Sequence, residues 1–285
     1  MVATSLLSAF IVAISTLGAP PPPDPSWSAA DAQIAADVRA GRPLVTYVVV
    51  PLCSNTQIDC GSVVAGRAGD PGHNIYWGAV FGARRFLDHK PGPWTRVDLQ
   101  TSTGPILEQA TYRRTISGSR WGLTSGNVEQ IVVLQAVHGD QINDAVEHFW
   151  KVATEGGVIR FQDSGRVRSE RIHVAGYVGH NRLMGGMNLP PPPDAAHRAP
   201  IHAFVLACYS ESYFGPSLRA AGVRVLLTTR ALMAPEGYLV DAVLRTVGDN
   251  GAVKGIRASA IDASVQWQKI ARNDAAWIFA VEPRP

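Results

Sequence analysis

The chain alternates between continuous apolar runs and segments with helical spacing. Leu44 to Leu52 is a β-branched run behind Pro43 and predicts a strand. Gln130 to Val137, Ile172 to Asn181, Ile201 to Cys208 and Val223 to Thr229 predict four more. Between them, apolar residues recur every three or four positions. Ile142, Val146, Phe149 and Ala153 fall on one face of a predicted helix over 142–154. Helices are also predicted over 31–40, 74–87, 214–221, 237–247 and 253–272. Cys53 to Gly72 and Gly185 to Pro193 read as loops. The second contains four consecutive prolines, which suit neither a helix interior nor a central strand. Residues 276–281 read as a last strand or a docked end.

Most of these strands are unbroken apolar runs, the pattern of strands covered on both faces. Strands and helices take turns along the chain, so the expected fold is α/β. The expected form is a three-layer sandwich with a mostly parallel central sheet. Val97 to Leu99 and Ile106 to Ile116 differ: they are polar and alternating about Gly104-Pro105. They read as a small peripheral β hairpin or as an added pair of edge strands. Of the 285 residues, 46% are apolar and 17% charged, enough for a sizeable core. No internal repeat is present, and one domain is expected over 31–285.

The first residues read differently. Leu6 to Ala19 is mostly apolar, of signal-peptide size and too short to span a membrane. Gly18-Ala19 suits a cleavage region, although no Lys or Arg precedes the run. A signal peptide over 1–19 and a Pro-rich linker over 20–30 are expected. The mature chain would then be exported, periplasmic or extracellular, with no stable membrane span. Cys53 and Cys60 lie close together with turn-forming residues between them, a possible disulfide; Cys208 is then the odd thiol. The formal charge is +3 and the basic residues are scattered, so nucleic acid is not an expected partner.

Two apolar runs end in reactive side chains: His180 closes one and Cys208 the other. In an open α/β sheet, sites form at the C-terminal edge of the strands. The pair has the composition of a Cys/His nucleophilic site. All eight histidines precede Cys208, which excludes papain-like layouts, where the cysteine comes first. No Gly-x-Ser-x-Gly, phosphate-binding glycine loop, Cys-x-x-Cys or His-Glu-x-x-His is present. His197, His202 and His180 with Cys208 make only a weak zinc set, so neither metal nor other cofactor is expected.

One arrangement remains: apolar strand, histidine, connection, apolar strand, cysteine. Here Val174 to His180, and then Ala203 to Cys208 with its Ala207-Cys208 ending, resemble the two blocks of the caspase-like (clan CD) cysteine peptidases. By strand–helix order the resemblance covers roughly residues 44–230; its specific part is the two blocks. Asn74 to Gly78, Ala136 to Ile142 and the two blocks also resemble an uncharacterised bacterial group, which implies no function. The superfamily resemblance implies Cys208 as nucleophile and His180 as general acid/base on a peptide or protein substrate. It also implies an oxyanion held by the Cys208 N–H with one near Gly179 or Asn181. Asn181 stands where that superfamily usually has glycine. That departure favours the alternative of a non-catalytic caspase-like binding module of the bacterial envelope. A small-molecule site at the same edge is a third option.

Other residues are placed for a pocket but have ordinary readings too. Asn55, Gln57 and Asp59 follow the first strand and either line a pocket or form a solvated loop. Asp140, in His138-Gly139-Asp140, either orients a site group or caps the next helix. Glu211 follows Cys208 and either reads a substrate side chain or sits in a solvated turn. Asn74, Tyr76 and Trp77 read as helix start and packing.

Overall fold

The computed structural model describes residues 28–281, apart from 90, 124–125 and 250–252. The strands are β1 (Leu44–Pro51), β2 (Thr95–Thr101), β3 (Ile106–Ser117), β4 (Asn127–Val137), β5 (Val158–Asp163), β6 (Arg166–Arg171), β7 (Val174–Val178), β8 (His202–Leu206), β9 (Arg224–Thr229) and β10 (Phe279–Ala280). The helices are α1 (Ala29–Arg39), α2 (Ala83–Leu87), α3 (Ile142–Glu155), α4 (Ser210–Tyr213), α5 (Gly215–Ala220), α6 (Gly237–Asp249), α7 (Val253–Trp267) and α8 (Arg272–Ile278). Eight strands form one sheet in the order β10-β9-β8-β7-β1-β4-β3-β2.

The protein is α/β, as expected, but the sheet is mixed rather than mostly parallel. β4, β1, β7, β8 and β9 run parallel; β3, β2 and β10 run antiparallel to their neighbours. The reason is connection length. Residues 102–105 join β2 to β3, and residues 118–126 join β3 to β4. A parallel crossover needs about a dozen residues or more, so both connections can only turn back. The polar pair at 95–117 therefore belongs to the main sheet, with β2 at its edge. The small hairpin apart from that sheet is β5–β6 instead. Its turn, Ser164-Gly165, has positive φ at both residues, as a tight two-residue hairpin requires.

Apolar side chains fill both sides of the central strands. In β1, Leu44, Val48 and Val50 join a core with α1, α2, α6 and α7. Val45, Tyr47 and Val49 join a second core with α3 and α5. A helical layer on each face is what a continuous apolar run such as β1 requires.

Several boundaries differ from expectation. The helix expected over 253–272 ends at Trp267, and α8 begins at Arg272. The helix expected over 74–87 is only α2; residues 75–81 are turns. The Asn74 side chain takes up backbone groups that a helix would use: its amide donates to the Cys53 and Arg67 carbonyls and its oxygen accepts from the Cys53 and Tyr76 N–H groups. A Cβ at Gly78 would lie 2.3 Å from the Pro71 carbonyl oxygen, so the chain packs too closely there for any other residue. Residues 28–30 belong to α1 and its cap, not to the linker. Residues 276–280 divide between the end of α8 and β10, and Val281 follows them outside both. The signal peptide and most of the Pro-rich linker lie outside the described residues. No helix among the described residues is long and apolar enough to cross a membrane.

Two buried Asp–His pairs fasten α1 to the N-terminal edge of the sheet. His173, just before β7, places Nε2 3.1 Å from Asp37 Oδ2, and its Nδ1 accepts from the Val45 N–H at 3.1 Å. That second bond sets the tautomer: the ring proton is on Nε2. His202, at the start of β8, places Nε2 3.1 Å from Asp31 Oδ1. Asp31 also closes a capping box with Ser28. Burial pushes His173 below its ordinary 6.5, although Asp37 opposes this. Burial alone would raise both aspartates. The bonds from His202 and Ser28 to Asp31, and from His173 and Gln33 to Asp37, outweigh it and hold both below 3.8.

All three groups have folded-state pKa values below their unfolded ones, so the unfolded chain binds more protons and stability is lost as pH falls. The melting temperature is expected to decline as pH drops below 6.5, where His173 begins to titrate in the unfolded chain, and more steeply below 3.8. Asp37→Ala should cost about 1.5–3 kcal/mol in urea denaturation at pH 7, the range for hydrogen bonds to charged groups. A melting temperature unchanged between pH 7 and 5 would contradict the titration of His173.

Candidate active site

The five parallel strands end at one edge, and the chain leaves β1 toward β4 but β7 toward β8. The connections diverge between β1 and β7. This is the topological switch point, where open α/β sheets bind ligands. His180 and Cys208 follow β7 and β8, which are neighbours. Their ladder pairs Val174 with His202 and continues to Val178 with Leu206. The same constant offset separates His180 from Cys208, so the register carries both to one level. The Gly179 N–H extends the ladder by donating to Leu206 O at 3.1 Å.

Cys208 sits on a sharp strand-to-helix turn. Tyr209 takes the left-handed conformation at φ 49° and ψ 29°, uncommon for a non-glycine residue. Neighbouring bonds hold it there. Ser210 Oγ donates to Val205 O and accepts from the Thr229 N–H, both at 2.9 Å. Thr229 Oγ1 donates to Ala207 O, and the Tyr209 N–H donates to Ala231 O. The half-buried thiol donates to Met233 O at 3.4 Å. Among the described residues, the Cys208 N–H has no hydrogen-bond acceptor.

Asn181 is fully buried and joins the two loops. Its Nδ2 donates to Cys208 O at 2.6 Å, and its Oδ1 accepts from the Leu183 N–H at 3.1 Å. A glycine here could make neither bond. His180 is half-buried, and its carbonyl accepts from Tyr177 Oη at 2.7 Å. Burial, with Arg182 adding to it, pushes the His180 imidazole below 6.5, so the ring is neutral at pH 7. No hydrogen bond joins that ring to Cys208 Sγ among the described residues. Of the two oxyanion candidates beside Cys208, Gly179 has its N–H committed to the sheet and Asn181 has its side chain committed to the loops.

The loop after β1 forms one wall. Cys53 and Cys60 are joined by a disulfide with a Cα–Cα distance of 6.1 Å. Inside this loop, Asn55 bonds Ser62 O and the Cys60 N–H, and Asp59 accepts from the Gly61 N–H. Gln57 donates to Gly139 O at 2.9 Å. Asp140 accepts from Ser54 at 2.7 Å and from Thr56 at 3.2 Å. It ties the loops after β1 and β4 together rather than capping α3. Glu211 bonds Arg219 and Thr228. These five side chains stand around the edge, and each is bonded within the protein.

Three residues near the thiol were not singled out as site residues from the sequence. Met233 holds the sulfur through its backbone. Tyr76 is buried close enough to Cys208 that the sulfur, after burial itself, raises its hydroxyl above the ordinary range. Tyr209 carries the turn. No motif marks them, because loops bring the first two in and tyrosine is not a turn former. Among the described residues, no group of three or more His, Cys, Asp or Glu is placed to hold a metal ion.

Iodoacetamide is expected to add once per unreduced chain, at Cys208, and three times after reduction under denaturing conditions, as read by mass spectrometry. Asn181→Ala should lower stability by about 1–3 kcal/mol, because it leaves buried backbone groups unpaired. A wild-type urea midpoint in that variant would remove Asn181 as the link between the loops. The chain matches no protein-family model, no curated protein and no solved structure.

Proposed function

We propose that this protein is a caspase-like cysteine hydrolase that cleaves a peptide or amide bond. The observation that carries the reading is the β7–β8 register, whose constant offset through Val178 and Leu206 brings the strand ends that lead to His180 and Cys208 to one level, beside the switch point of the sheet. Support comes from the turn at Cys208. It holds Tyr209 in a sparsely populated conformation and leaves the Cys208 N–H without an acceptor among the described residues. Strained backbone held by its surroundings is common at active sites.

In this reading neutral His180 takes the thiol proton as Cys208 Sγ attacks the carbonyl carbon. The Cys208 N–H and a second N–H at His180 or Asn181 hold the oxyanion. The C–N bond breaks, and the amine leaves with the proton from His180. Water then attacks the thioester, giving its proton to His180, and the acid departs as the thiolate regains that proton. The ring must swing to the sulfur for this, since apo geometry often tightens only with substrate bound. The disulfide after β1 supports export, because such bonds persist in oxidising compartments.

A second reading is a non-catalytic binding module of the envelope. The specific observation in its favour is that the thiol bonds the Met233 backbone rather than His180. Substitution separates the two. Cys208→Ala and His180→Ala should each abolish hydrolysis of a mixed peptide-amide library, and wild-type kcat/KM should fall with pH below 6.5 as His180 becomes protonated. Hydrolysis that survives both substitutions would end the hydrolase reading.

A further inference from the structure

Exposed apolar side chains gather at the edge that carries Cys208. Among the described residues ten large apolar side chains are exposed; Val158, Val167 and Trp277 lie elsewhere. The other seven stand at the C-terminal ends of the parallel strands. Val63, Val64 and Val80 belong to the loop after β1, and Leu232 to the loop after β9. Met184 follows β7, Tyr213 closes α4 after β8, and Ile106 pairs with the last residue of β4. Val80 is 72% exposed and β-branched, yet it is held at φ 40°. For a β-branched residue that conformation is an outlier. An apolar rim this localised marks a contact surface rather than scattered exposure.

A cleft of about 470 Å³ opens beside Met184 and Tyr213. Its walls include Trp150, Leu183, Met187, Leu189 and Tyr213, with Pro190 to Pro192 closing one side. Its polar lining is two serines and an asparagine, and no charged side chain lines it. Leu183 lies two residues beyond Asn181, and Tyr213 ends the short helix that begins two residues after Cys208. The loops of both proposed catalytic residues therefore build this cleft. A larger cavity of about 580 Å³ lies in the other helical layer, against α6 and α7, and is lined by Asp241, Asp249, Asp262 and Arg245. Its chemistry is the opposite, and no residue of the Cys208 or His180 loops reaches it.

We infer that the substrate is a polypeptide lying across this edge, with a large uncharged apolar side chain in the neutral cleft. The inference rests on Cys208 as the attacking group. The thiol faces Met233 and Tyr76, in the core of the opposite layer. The cleft therefore takes a side chain some residues away from the attacked carbonyl. A carboxylate or ammonium would lose its water there without gaining a partner. The volume fits one or two large side chains and lies within the range of ligand pockets.

The test is a positional-scanning library of fluorogenic peptide amides on the mature protein, with anisotropy binding of fluorescein-labelled peptides to Cys208→Ala. One subsite away from the cut should prefer Leu, Met or Phe over Asp, Arg or Lys by about tenfold or more in kcat/KM. Tyr213→Asp and Leu189→Asp, both on solvent-facing segments, should erase that preference while iodoacetamide labelling of Cys208 stays unchanged. Hydrolysis with a charged preference at every subsite, or with a preference indifferent to both substitutions, would overturn the inference and spare the hydrolase reading. No hydrolysis, but apolar peptide binding weakened tenfold by both substitutions, would sink the hydrolase reading and keep the cleft as the peptide site. Neither hydrolysis nor binding would overturn both.

Discussion

Asn181 is the constraint on which the candidate site depends. It has no exposed surface, and it spends its amide between two loops: Nδ2 on the Cys208 carbonyl and Oδ1 on the Leu183 N–H. The strands beneath set the same relation through the Gly179–Leu206 hydrogen bond and the constant β7–β8 register. A slip of one residue would turn every side chain of the strand to the other face. It would also separate His180 from the level of Cys208. Burial of both faces makes such a slip costly, so the apolar cores on either side of β7 and β8 are what hold the two strand ends in register.

The two edges of the sheet divide the work. At the N-terminal edge His173 and His202 are spent on Asp37 and Asp31, and α1 is locked down. At the C-terminal edge the loops are instead built around their own polar side chains. Asn74 organises the loop after β1, Asp140 ties that loop to the end of β4, and Ser210 and Thr229 hold the turn at Cys208. Those bonds support strained backbone at Tyr209 and Val80 and leave apolar side chains in solvent. A rigid sheet carrying exposed, internally braced loops is the usual way a fold presents a site.

The α/β class, β1, β4, β8, β9 and α3 were legible because apolar periodicity reports burial directly. The antiparallel joining of β3 to β4, which makes the sheet mixed, was not, because periodicity carries no direction; the short connection decides it. The helix expected over 74–87 failed because Asn74 and the close contact at Gly78 override local spacing. Of the site, His180 and Cys208 were legible as ends of apolar runs. The part of Asn181 was not, since a residue that departs from a pattern shows what it lacks and not what it bonds.

The sequence by itself determined that two reactive side chains close two apolar runs, that every histidine precedes Cys208, and that Cys53 and Cys60 are close enough along the chain to be candidates for a bridge. Only the tertiary structure decided that those strands are neighbours in register at the switch point. It also decided that His173 and His202 belong to α1, and that Asn55, Gln57, Asp59, Asp140 and Glu211 are bonded within the protein. The physical reason is that burial is written in the order of apolar residues, whereas hydrogen-bond partners are chosen across the fold.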